Sequence, residues 1–146
     1  MLKRLALAFV VLASPVAGQS NGQTERLVAG SFTEDQVTRG ATTFESYCLS
    51  CHTPTFHTGE QFRMSWLGRT VYDYFKVVKT TMPEDNPGGL SDEEYTRVIV
   101  YIFKMNGFPS GTDSLPADTV VMKSIRIAAP PPPSVPPADS GKPYRR

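Results

Sequence analysis

The sequence predicts an all-α domain with about three main helices and an extended C-terminal segment. Three observations carry this. Apolar residues recur at helical spacing behind three N-cap signals. No alternating run of strand type appears before residue 119. The chain of 146 residues, 40% hydrophobic and 20% charged, has room for one soluble domain and not two.

Residues 1–18 read as an export signal: Lys3 and Arg4, an apolar run from Leu5 to Leu12, then small residues from Ala13 to Gly18. The run is far shorter than the roughly 20 residues a membrane span needs. Cleavage after Ala17 or Gly18 leaves no span, 13 basic and 14 acidic residues, and a charge of −1. The expected location is periplasmic or otherwise exported. Residues 19–30 (Gln19, Ser20, Asn21, Gly22, Gln23 and onward) read as a flexible leader.

The expected domain occupies residues 31–113. Its first helix opens at Thr33, with Gln36 completing a capping box and Phe32 placed as a hydrophobic staple. Val37, Ala41, Phe44 and Cys48 form one stripe. The second opens at Thr70, carries Asp73 in its first turn and Val71, Phe75 and Val78 on one face, and stops near Thr81 ahead of Pro83. The third opens with the Ser91–Glu94 capping box and runs through Tyr95, Val98, Ile99, Ile102 and Phe103. Asn106-Gly107 ends it, with Pro109 beyond. Residues 114–128 are apolar enough to pack back on the domain as a C-terminal extension. Seven of the thirteen prolines lie between Pro130 and Pro143, so 129–146 reads as a Pro-rich disordered tail.

Between the first two helices lies Cys48-Leu49-Ser50-Cys51-His52, the spacing of a c-type haem attachment site. Two thiols separated by two residues can each add to one vinyl group at the porphyrin edge. The next residue, His52, is then delivered beneath the ring to bind iron. A redox Cys-x-x-Cys would follow a strand, and here a helix precedes it. A zinc site lacks a second cysteine pair, and a plain Cys48–Cys51 disulfide leaves His52 unexplained. The expected cofactor is therefore one covalent haem c. With two cysteines a disulfide-stapled scaffold is excluded, and a charge of +1 over the whole chain gives no basic footprint for nucleic acid.

Met82, thirty residues past His52 and held extended by Pro83, is the candidate distal ligand. Met64 is the second choice, Met105 reads as core, and Met122 lies in the trailing segment. His57 is too close to His52 to cross the ring and reads as a surface imidazole.

Gly40, Phe44, Cys48, Cys51, His52, Met82-Pro83 and the aromatic last helix together resemble the class I (mitochondrial-type) c-type cytochromes, over residues 31–115. The stretch from Thr81 to Tyr95, with Asn106-Gly107-Phe108-Pro109, is similar to cytochrome subunits associated with bacterial quinoprotein dehydrogenases. The resemblance implies a small cytochrome c fold in which the haem is the centre of the core. It implies that the first and last helices cross closely, with Gly40 admitting an aromatic such as Tyr101. It also implies a periplasmic one-electron carrier with His52 and Met82 as metal ligands and no catalytic residues. Its partners would be redox proteins, a quinoprotein dehydrogenase as donor and a terminal oxidase or another cytochrome as acceptor. A haem enzyme or gas-binding protein with an open distal site is the alternative. The family's usual proline past the haem histidine, whose carbonyl orients that histidine, has no counterpart between Thr55 and Met82. Trp66, Arg69 and Tyr72 fall where the resemblance places partners of the haem propionates; Trp66 offers an indole N–H and Arg69 a guanidinium fork.

Overall fold

A computed structural model describes residues 26–130. The signal segment 1–18 and nearly all of the Pro-rich tail lie outside the described residues. Each of the three expected helices forms behind its cap. Helix α1 spans Glu34–Tyr47 and α3 spans Val71–Thr81. In both, a threonine N-cap and the residue three positions on, Gln36 or Asp73, bond reciprocally. Helix α4 spans Asp92–Met105 behind the Ser91–Glu94 box, and Gly107 follows it with φ +83°. Two shorter helices were not expected: α2, Gly59–Trp66, and α5, Thr119–Lys123. A 3-10 turn, Pro54–His57, leads into α2.

The close approach of α1 and α4 fixes the framework. Gly40 is buried, and a Cβ there would lie 2.0 Å from the Arg97 carbonyl oxygen and 2.9 Å from the Tyr101 Cβ. Tyr101 is thus a neighbour, as the resemblance implied, but the tighter limit is the backbone of α4. The core gathers around α4: Tyr95, Val98, Ile99, Val100, Ile102 and Phe103 are buried with Phe44 from α1, Phe62 from α2, and Tyr74 and Phe75 from α3.

The C-terminal extension buries Leu115, Met122, Ile125 and Ile127. Strand β2, Ile125–Arg126, pairs in parallel with β1, Arg26–Leu27. Residues 26–30 therefore depart from the flexible leader expected over 19–30. Besides the strand pairing, Val28 is fully buried and Gly30 N donates to the Pro109 carbonyl at 2.8 Å. The buried Val28 is the local reason. Two-residue strands leave the class all-α. Among the described residues no helix is long and apolar enough to cross a membrane.

Candidate functional site

The Cys48–His52 motif begins where α1 stops. Cys48 is the C-cap residue of α1, its N–H donating to the Phe44 carbonyl. The chain then folds back: the N–H groups of Cys51 and His52 both donate to the Cys48 carbonyl, at 3.1 and 2.9 Å. This turn places both thiols and the imidazole along one cavity of about 1020 Å³, bordered also by Phe44, Tyr74 and Val98. Both thiols are free. Burial pushes the Cys48 thiol above its usual range.

The segment after α3 supplies the facing part. Met82 is the C-cap of α3, extended at φ −129° and ψ 150°, and its peptide bond to Pro83 is cis. Helix α3 stops there because proline disfavours helical geometry in the residue before it. Met82 lines the cavity, and among the described methionines no other does. Met64 is 70% exposed, Met105 is 40% exposed and Met122 is fully buried in the core. Met105 is thus not the core residue expected: its position in the last turn of α4 turns it outward.

His57 is also placed differently from expectation. It is half-buried, lines the cavity, and its ring lies 5.0 Å from that of His52. Burial and, secondly, the charge of His52 lower its pKa. The 3-10 turn explains the placement, since it curls His57 back beneath the motif. Asn106 pins that turn, donating to the His57 carbonyl at 2.9 Å and accepting from Gly59 N at 3.1 Å. The His52 ring also faces Phe56 at 5.5 Å; among the described residues it has no hydrogen-bond acceptor.

Trp66 borders both this cavity and an adjoining one of about 380 Å³ that Gln61 and Ser65 help to line. Arg69 borders neither; its guanidinium sits 5.5 Å over the Trp66 ring. Two residues of the site were overlooked in the sequence. Tyr74 is buried, lines both cavities and packs 4.5 Å from Trp66, and burial raises its phenol pKa. Its spacing from Val71 and Val78, three and four residues, was the available signal. Tyr95 donates its hydroxyl proton to the Met82 carbonyl at 2.6 Å.

The donor set suits haem c: two free thiols, the imidazoles of His52 and His57, and a thioether share a largely apolar cavity large enough for a porphyrin. A family model described as "Cytochrome C oxidase, cbb3-type, subunit III" matches residues 35–102, a stretch that includes the motif, Met82 and most of α4. Neither the curated proteins nor the solved structures yield a match. The fold, the cavity and the family match over residues 35–102 together support a c-type cytochrome domain, and such a domain implies covalently bound haem c.

Proposed function

We propose that the protein is a periplasmic monohaem electron carrier, with haem attached through Cys48 and Cys51 and iron held by His52 and Met82. The observation that carries this is that Met82 alone of the described methionines lines the cavity shared by the whole motif. When bound, haem supplies an iron that takes up and returns one electron, at a potential raised by a thioether ligand. The residues of the chain do the rest. Cys48 and Cys51 fix the ring at its edge. His52 and Met82 would hold the iron, and with both bound a substrate would find no free place on it. Phe44, Val78, Val98 and Ile102 exclude water from the ring faces, while exposed Tyr47 and Val77 mark the rim where a redox partner approaches. Trp66 would donate its indole N–H to a propionate, with Arg69 stacked on its ring. The donor is a dehydrogenase, of the quinoprotein class by resemblance, and the acceptor a terminal oxidase or another cytochrome. The signal-like sequence of residues 1–18 supports the periplasmic location.

The test has two parts. Haem should stay with the polypeptide through acid-acetone extraction and a denaturing gel, and Cys48→Ala or Cys51→Ala should sharply reduce mature protein. The oxidised protein should show the weak red charge-transfer band of an iron–thioether bond, and Met82→Ala should abolish it. Release of all haem overturns the covalent attachment. A band that survives in Met82→Ala and disappears in Met64→Ala overturns the ligand choice.

A further inference from the structure

We infer that Tyr95 is the positioning residue of the distal ligand: its hydroxyl holds the backbone of Met82 and so fixes the loop that presents the thioether. The inference rests on Met82 being that ligand. Tyr95 stands in the first turn of α4 and is 1% exposed. Its hydroxyl donates to the Met82 carbonyl at 2.6 Å and accepts from Leu90 N at 3.5 Å. One phenol oxygen thereby meets both ends of the loop 82–90. The phenol is itself held, because its ring stands edge-on to Phe75 of α3, with centroids 6.4 Å apart.

Among the described residues no other buried side chain is hydrogen-bonded to the Met82 backbone. Met82 N donates to the Val78 carbonyl at 2.9 Å, so α3 secures one side of the residue. Beyond Met82 the loop is tied mainly to itself, through Asn86 N to the Pro83 carbonyl and Gly89 N to the Asn86 carbonyl, each within 3.0 Å. Residues 84–89 are exposed. The Lys79–Asp92 ion pair brackets the loop from outside, but its side chains are 36% and 40% exposed and solvent screens it. A methionine side chain is unbranched, with several rotatable bonds. A thioether can return to one point in space only if its backbone is anchored, and the Tyr95 hydroxyl supplies the buried anchor.

Tyr95→Phe removes the hydroxyl and keeps the ring. The holoprotein is compared with wild type by three readouts: the temperature at which the red charge-transfer band disappears, the rate at which the reduced protein takes up carbon monoxide, and the global unfolding midpoint by circular dichroism. In Tyr95→Phe the band should vanish at a lower temperature, with a smaller change in the unfolding midpoint. Carbon monoxide uptake should be roughly three- to tenfold faster, the range expected for loss of one neutral hydrogen bond. Retained covalent haem and helical signal show that the variant is folded. Band loss and uptake equal to wild type overturn the inference. So does band loss that only tracks global unfolding, which marks Tyr95 as a core residue and nothing more. Met82→Ala is measured alongside. If it keeps the band, the ligand assignment has failed and the inference falls with it. If it loses the band while Tyr95→Phe behaves as wild type, only the role of Tyr95 has failed.

Discussion

At Gly40 a single hydrogen atom sets how near two helices come. Any β-carbon there meets the Arg97 carbonyl oxygen at 2.0 Å, a backbone atom that cannot rotate away. Gly40→Ala should gain helix propensity in α1 and still destabilise the protein, because α1 and α4 must separate. The expected net cost is about 1–3 kcal/mol, the usual range for overpacking, read from denaturant unfolding of the holoprotein. The need for a small residue here was legible because glycine inside an amphipathic helix requires a packing reason. The identity of the contact was not, since a backbone carbonyl leaves no trace in the sequence. His57 and Tyr74 teach the same lesson. Their types were visible, but a 3-10 turn brought His57 to the cavity, and the packing of α3 brought Tyr74 there.

Among the helices, those with a side-chain cap and a long stripe were legible, and the short ones were not. α1, α3 and α4 each carry a reciprocal cap, and their boundaries follow from it. Helix α2 has no side-chain cap at Thr58; its start is held by Asn106, 47 residues away, through Gly59 N. No local pattern reports such a partner. Helix α5 has only five residues, though Asp118 caps it through Val120 N and Val121 N. The caps make a measurable claim. Thr70→Ala and Ser91→Ala should each cost about 1 kcal/mol in denaturant unfolding. Their acidic partners add a pH dependence. The Thr70 hydroxyl and backbone lower the pKa of Asp73, and the Ser91 backbone and hydroxyl lower that of Glu94, from ordinary values of 3.8 and 4.5. Depressed carboxylates stabilise above those ordinary values, and the contribution is lost as pH falls through the folded-state values. The thermal midpoint should fall on acidification below pH 4.5, and less steeply in Asp73→Asn/Glu94→Gln.

The molecule as a whole presents one sign of charge at its cavity. Glu84, Asp85 and Glu94 border it, and among the described residues no lysine or arginine does. Electrostatics of this kind steer association more than they hold a complex. Reduction of the haem by a partner with a basic docking face should slow as ionic strength rises, over the range where the screening length drops below about 10 Å. Glu84→Lys/Asp85→Lys should slow it at low salt and flatten the salt dependence, as read by stopped-flow absorbance. A salt-independent rate in the wild type would place the contact elsewhere, with the basic residues Lys142, Arg145 and Arg146 of the tail as the next surface to test.

The pairing of Arg26–Leu27 with Ile125–Arg126 is parallel, so the outer ends of the two strands point in opposite directions. About a hundred residues lie between them, and beyond β2 Ile127 is still fully buried and bonded to Arg69. A pull on the two ends loads this clasp in shear, along its length, rather than peeling it open one bond at a time.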